Sequence, residues 1–314
     1  MTPATPLRRL SRGNRTFFEI ISILCPFPGL KVSPYQILAK LIQHRHTFLR
    51  HHLVMLISIN IIISRFQVMI SAYLEARPNT NVILLDWSNM SHGSYLVNAA
   101  RNTKKVGAAV AEQVQKLMEA GLSADRLHLI GHSLGSHVAG YLARELKNKY
   151  NRSVKRLSAL DPAFPGFYPD GIVMEHVSDK DAEFVDVIHT DAGGYGAPVR
   201  TGTADFWPNG GKSIQPGCPR FAPVPLSDDN LCSHWRSWRF FAESVRNPET
   251  FPASPADSYS KFRENPTPEV GMVYMGKFIH GNVNLKPPFH RGARCARPRD
   301  ARILINSCVA CPST

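Results

Sequence analysis

The chain has 314 residues, of which 43% are hydrophobic and 9% aromatic, enough to bury the core of one large α/β domain or two smaller ones. Its formal net charge of +13 is carried by the ends: residues 1–65 hold nine Lys/Arg against one acid, residues 291–314 hold five Arg against one Asp, and only about +1 remains for the middle. No nucleic-acid reading motif accompanies the charge, so it does not point to a nucleic-acid partner.

Residues 1–65 read as a basic, irregular segment without chemistry of its own. His44, His46, His51 and His52 have no Cys or carboxylate at ligand spacing, which favours a solvated basic stretch over a metal cluster. The apolar run Phe17–Leu24 contains Glu19 and is followed by Pro26 and Pro28, a poor signal peptide. A second run, Leu53–Ser64, contains Asn60 and is about twelve residues long, whereas a bilayer span takes roughly twenty. It reads as a buried strand or helix, and no transmembrane segment is expected. Six cysteines are few for a disulfide scaffold of this length, though Cys218 and Cys232 bracket a Pro-rich loop and Cys295, Cys308 and Cys311 crowd the end. Sequons at Asn14, Asn89 and Asn151 agree with secretion but recur by chance.

From Val68 the pattern tightens. Met69–Leu74 predicts a short helix, and Asn81–Trp87 a strand buried on both faces. A long amphipathic helix is expected from about Asn98 to Ala120, with Val106, Val110, Val114 and Leu117 on one face and Gly121 at its end. Leu127–Ile130 is a further strand, Leu134 to about Lys149 a helix, and Val154–Leu160 and Phe184–His189 two more strands. Strands alternating with helices predict a mostly parallel sheet with flanking helices. After about Asn209, glycine and proline become frequent and strands are hard to place.

Between the third of these strands and its helix stands Gly131-His132-Ser133-Leu134-Gly135, a G-x-S-x-G sequence in strand–turn–helix context. That context marks a nucleophile elbow, in which a sharp turn lifts a serine hydroxyl above the sheet at a helix N-terminus. Such a serine needs a base and an orienting carboxylate, which follow it in the order Ser, Asp/Glu, His. Asp161 directly follows a strand and precedes Pro162, and is preferred over Asp186, inside a strand, and Asp191, which opens a Gly-rich loop. His176, His189, His234, His280 and His290 are all candidates for the base. His234 is favoured because it follows Cys232 and begins the helix-like Trp235–Val245 segment.

These motifs, together with Leu160-Asp161-Pro162-Ala163, Val187-Ile188-His189-Thr190-Asp191, Phe206-Trp207-Pro208-Asn209-Gly210-Gly211, Pro216-Gly217-Cys218 and Cys232-Ser233-His234, closely resemble the pancreatic-type lipase family over roughly residues 66–290. The resemblance implies an α/β-hydrolase fold with Ser133 as nucleophile, Asp161 as orienting acid, His234 as base and the Leu134 backbone N–H as an oxyanion donor. It implies a Cys218–Cys232 disulfide at the base of a lid over the active site. It implies no cofactor, and no calcium site carries over. Lipid at a membrane or lipid interface is the implied partner, and the extracellular space the implied location. The lid has only thirteen residues, Pro219 to Leu231, and the loop between Thr190 and Phe206 is short too. In this family that combination resembles phospholipase A1 enzymes, with triacylglycerol or galactolipid lipase as the alternative.

One departure stands out. The family has a strand ending in His-Gly-aromatic before the Met69–Leu74 helix, and the loop supplies a second oxyanion N–H. His92-Gly93 and His280-Gly281 fall in the wrong places, so residues 1–65 read as replacement sequence in which that central strand and loop are lost. The chain is thus expected to comprise an atypical segment (1–65), an α/β-hydrolase domain (66–290) and a basic Cys-containing tail (291–314), without the family's C-terminal lipid-binding sandwich. A catalytically weak lipid-binding protein of the yolk type is the contrasting expectation, favoured by the missing loop and opposed by the three triad residues.

Overall fold

The computed structural model describes residues 19–24, 36–41, 52–58, 63–169, 174–256, 259–264, 273–276 and 290–293. Eleven strands form one sheet: β1 (Glu19–Leu24), β2 (Gln36–Leu41), β3 (Leu53–Ser58), β4 (Asn81–Asp86), β5 (Leu127–His132), β6 (Arg156–Leu160), β7 (Phe184–Ile188), β8 (Ala204–Phe206), β9 (Pro252–Pro255), β10 (Val273–Tyr274) and β11 (His290–Ala293). Their order is β1-β2-β4-β3-β5-β6-β7-β8-β11-β9-β10, and the six from β4 to β8 run parallel. The helices are α1 (Ile63–Ala76), α2 (Ser88–Ser91), α3 (Ala100–Glu119), α4 (Leu134–Tyr150), α5 (Cys232–Arg246) and α6 (Tyr259–Glu264).

Strand side chains alternate between two cores. Leu53, Met55, Ile57, Ile83 and Leu85 join Val106, Val110 and Val114 of α3 and Val138, Leu142 and Leu146 of α4. On the other face, Val54, Leu56, Val82 and Leu84 meet Met69, Ala72 and Tyr73 of α1 and Trp238, Phe241 and Val245 of α5. The result is a three-layer α/β/α arrangement with the sheet buried on both sides.

β3 corrects the expectation that a central strand is lost. It lies between β4 and β5, with Ile57 opposite both Leu85 and Gly131. Leu53 to Ile57 are each no more than 1% exposed. Burying five such side chains contributes about 10 kcal/mol, comparable to the whole stability margin of a domain. The boundary expected at residue 65 therefore cuts through the sheet. A strand covered on both faces shows no alternation of polar and apolar residues, so the run Leu53–Ser64 reads equally as buried strand or helix, and the structure makes its first half a strand.

The amphipathic helix expected from Asn98 is α3, preceded by a π-helical turn at Tyr95–Ala99 and followed by Gly121 at φ +117°. Among the described residues, no helix is long and apolar enough to cross a membrane. Asn14, Cys25, His44, His46, His51, His280, Cys295, Cys308 and Cys311 lie outside the described residues.

Candidate active site

β5 delivers the serine. Its last residue is His132, α4 begins at Leu134, and Ser133 between them has φ +56° and ψ −125°. A positive φ costs a non-glycine residue on the order of 1–3 kcal/mol and persists only where the surroundings impose it. Here the Ser133 N–H donates to the Leu160 carbonyl of neighbouring β6 at 3.0 Å, and the Ser133 carbonyl accepts from Ser136 N–H at 3.0 Å. Gly131 makes the turn sterically feasible: a Cβ there would lie 2.3 Å from Gly135 O and 2.5 Å from Ser136 Cα. Leu134, wholly buried, opens α4, whose N-terminal amides carry partial positive charge.

The ends of β6 and β7 deliver the carboxylate. Asp161 follows β6 with φ +46° and is wholly buried. Its N–H donates to Ile188 O at 2.8 Å, while its Oδ1 accepts from Thr190 N at 2.8 Å and Asp191 N at 3.2 Å. Asp161 Oδ2 lies 2.6 Å from His234 Nδ1. An ionised carboxylate can only accept, so this geometry places the proton on Nδ1 and leaves Nε2 as the basic nitrogen of a neutral ring. His234 is 3% exposed and sits in the first turn of α5, two residues after Cys232.

Cys218 and Cys232 are joined by a disulfide, with an S–S distance of 2.02 Å. It anchors the start of α5, and the loop it closes is largely exposed: Phe221 is 81% accessible, Val224 62% and Leu226 68%.

The rivals of Asp161 and His234 have other partners. Asp186 lies under the sheet, where it takes two hydrogen bonds from Arg156, at 2.8 and 2.9 Å, and one from Ser158 at 2.7 Å. His189 Nε2 meets Asp205 Oδ1 at 2.7 Å and its ring stacks on Trp207 at 3.7 Å between centroids. His176 stacks on Tyr168 at 4.2 Å. For His290, only the backbone position in β11 is described.

Asp161, Asp191 and His234 present ligand atoms within 4.8 Å of one another, a set that could hold a metal ion. Asp191 Oδ2 already accepts from Tyr195 N at 3.1 Å, and both Asp161 oxygens have the partners described above. Burial raises the Asp191 carboxyl above its ordinary value, opposed by the Tyr195 N–H and reinforced by the neighbouring charge of Asp161. His132, with its ring centroid 4.7 Å from that of His234, is held well below the ordinary histidine value by burial and by His234. It therefore stays neutral beside any positive charge that forms on His234.

Four contributors carry no sequence signal that singles them out. The amides of Thr190 and Asp191 are main-chain groups, and no residue type announces them. Gly196 faces the Asp161 carboxylate so closely that a Cβ would fall 2.3 Å from Oδ1. Tyr195, with its ring 5.9 Å from that of His234, was legible only as one member of the Gly193-Gly194-Tyr195-Gly196 run.

A parallel sheet with a strained serine between strand and helix, followed by Asp and His on later elements, defines the α/β-hydrolase class. Within that class the chain belongs to the Lipase family, whose model matches residues 39–285 and so takes in β3 as well as most of the 66–290 core. It is 41% identical over 219 residues to pancreatic lipase-related protein 2 of Mus musculus, a match covering 63% of this chain and 44% of that one. Pancreatic triacylglycerol lipase of Sus scrofa is 38% identical over 220 residues, covering 64% and 47%. Inactive pancreatic lipase-related protein 1 of Homo sapiens is 36% identical over 220 residues, covering 63% and 45%. The chain spans less than half the length of these relatives.

Proposed function

We propose that the protein is a serine carboxylester hydrolase acting on glycerolipid acyl esters, with Ser133 as nucleophile, His234 as general base and Asp161 as the acid that orients it. The observation that carries this reading is the Asp161–His234 bond of 2.6 Å, with the second carboxylate oxygen fixed by two main-chain amides beside the Ser133 elbow. In this scheme His234 Nε2 takes the Ser133 proton as Oγ attacks the ester carbonyl. The same proton then passes to the leaving alcohol, and water activated by His234 cleaves the acyl-enzyme. The Leu134 N–H, at the positive end of α4, is one donor to the developing oxyanion. A neutral His132 adds no repulsion as His234 becomes imidazolium.

Among acyl esters we favour phospholipid. The thirteen-residue loop between Cys218 and Cys232 can cover little of the cleft, which suits a bulky polar head group better than a long apolar lid would. The family member of pig named a triacylglycerol lipase supports neutral lipid as the alternative. Secretion is supported by the disulfide, which persists in oxidising compartments, and by the exposure of Asn89 and Asn151 in their sequons.

A second reading, a lipid-binding protein without turnover, is supported by the human relative named inactive and by the absence of His-Gly-aromatic after β3. A p-nitrophenyl ester separates the two. The hydrolase reading expects a burst of alcohol product, abolished in Ser133→Ala. Turnover of the folded chain no higher than that of Ser133→Ala overturns it.

A further inference from the structure

His189 has both ring nitrogens committed. Nε2 meets Asp205 Oδ1 at 2.7 Å, and Nδ1 meets the Ala197 carbonyl at 3.0 Å. Each oxygen of Asp205 also accepts an amide, Oδ1 from Thr201 N at 2.9 Å and Oδ2 from Gly202 N at 3.1 Å. A carbonyl and a carboxylate only accept, so both ring nitrogens donate and the ring is an imidazolium paired with Asp205. Both side chains are wholly buried. The ring lies on Trp207 with centroids 3.7 Å apart and planes 5° from parallel, the face an aromatic ring offers to a cation.

The Nδ1 bond joins two residues eight apart, and so closes a loop at its base. His189 follows β7, and its own N–H donates to Phe206 O of β8 at 2.8 Å. Residues 190–196 belong to no helix or strand and include Gly193, Gly194 and Gly196, so their backbone has wide freedom unless something restrains it. Yet this loop forms the cradle of Asp161. Thr190 N and Asp191 N donate to Asp161 Oδ1 at 2.8 and 3.2 Å, and Gly196 lies flat against the carboxylate. Ala197, the residue that His189 grips, donates its own N–H to Pro162 O at 2.8 Å, one residue beyond Asp161.

We propose that His189 is a positioning residue for the reaction: its Nδ1–H closes the 189–197 loop around Asp161, while Asp205 anchors the ring on β8, and together they hold the Asp161 carboxylate against His234. This rests on the reading that Ser133, Asp161 and His234 form the reacting centre. His189 acts through Asp161 and makes no contact with substrate in this scheme.

The two nitrogens can be separated by substitution, because the amide of asparagine takes the place of Nδ1 and that of glutamine the place of Nε2. His189→Asn keeps the bond to Ala197 and gives up the one to Asp205, whereas His189→Gln does the reverse. On a p-nitrophenyl ester, His189→Gln in the full chain is expected to lower kcat about 100-fold at unchanged KM, the effect of misplacing a reacting group by about 1 Å. His189→Asn is expected to stay within about tenfold of wild type. His189→Phe keeps the stack on Trp207 without either donor and should match His189→Gln, so it serves if that variant does not fold. A kcat unchanged in the folded His189→Gln or His189→Phe protein overturns the proposal. Equal losses in His189→Asn and His189→Gln overturn it too, because a merely structural histidine would not distinguish them. So does a rise in KM at constant kcat.

A second readout needs no turnover. The His234 ring N–H that faces Asp161 at 2.6 Å is expected as a low-field proton resonance, identified by its loss in His234→Gln. It should survive in His189→Asn and move upfield, or be lost to exchange with water, in His189→Gln. An unchanged resonance in folded His189→Gln overturns the proposal, and so does its absence from wild type. Should wild type hydrolyse nothing, the hydrolase reading fails alone, and the resonance still decides whether His189 positions Asp161.

Discussion

Replacing Gly196 with alanine tests the reacting centre without touching any of its members. A Cβ at position 196 would lie 2.3 Å from Asp161 Oδ1, 2.4 Å from Cγ and 2.5 Å from Oδ2, where non-bonded atoms settle at about 3.5 Å. The three atoms belong to one rigid carboxylate, so no rotamer of Asp161 clears the methyl while keeping its bonds to Thr190 N and Asp191 N. The carboxylate must retreat by about 1 Å, which stretches its 2.6 Å bond to His234 Nδ1 to a separation that no longer counts as a hydrogen bond. A misplacement of about 1 Å costs on the order of 100-fold, and complete loss of the orienting acid on the order of 10,000-fold. Gly196→Ala is therefore expected to lower kcat on a p-nitrophenyl ester between those limits, with an overpacking cost of about 1–3 kcal/mol in stability. Gly193→Ala, in the same loop, has nothing within 4 Å of its Cβ and only a positive φ to strain. It is the matched control and should lose stability but little rate. A folded Gly196→Ala protein with kcat within tenfold of wild type would refute the assignment of Asp161 as the orienting acid.

The remaining predictions concern stability. Burial holds His128, His132 and His137 below the ordinary histidine value, His137 at about 3. Each is neutral when folded and charged when unfolded below pH about 6.5, so their stabilising contribution is full above that pH and is lost as the pH falls. Together they cost about 4 kcal/mol between pH 7 and 5.5, less what Asp191, shifted upward, returns on protonation. Urea midpoints at the two pH values measure it, and equal midpoints would contradict the burial of these rings. Replacing both Cys218 and Cys232 by serine opens a thirteen-residue loop and is expected to cost about 3 kcal/mol by loop-closure entropy, read as a lower melting temperature without change of fold. Asp186→Asn takes the buried carboxylate away from Arg156 and should cost about 3–5 kcal/mol, while kcat of the folded fraction holds. A selective loss of kcat would instead return Asp186 to contention as the orienting acid.

Much of this arrangement was legible in the residues, and the rest was not for reasons that differ from place to place. β5, the elbow and α4 announce themselves because an apolar strand, two glycines and a helical repeat fall in immediate succession. Asp161 is marked by its position directly after β6, whereas Asp186 sits within β7 opposite Ser158 and is turned beneath the sheet. Only the cross-strand register, invisible in a single sequence, assigns it to Arg156. β3 is legible only as part of the apolar run Leu53–Ser64, which without alternation reads equally as buried strand or helix. Asn230 and Tyr195 lie 35 residues apart, and nothing in the composition of either loop pairs them.

The same strand sharpens what the missing motif means. An oxyanion donor is a main-chain N–H, which every residue but proline carries, and no proline stands between Ser58 and Ser64. What His-Gly-aromatic brings is the conformational licence of its glycine rather than the donor itself. The chain has Ser58-Ile59-Asn60-Ile61 after β3, and among these asparagine is the residue that best tolerates a positive φ. β3 leads the chain to the correct edge, with Ile57 in register with Gly131 two residues before Ser133. The loss of the motif therefore separates two quantities that sequence alone merges, the integrity of the sheet and the strength of the oxyanion hole. Removal of one donor lowers kcat by roughly 100- to 1000-fold without preventing attack by the serine. The expected signature is a lowered kcat in which acylation and deacylation are both slow, raised when Ile59-Asn60-Ile61 is replaced by His-Gly-Phe. If that replacement leaves the rate unchanged in a folded protein, the missing motif does not limit turnover, and any shortfall has to be sought at Ser133, Asp161 or His234.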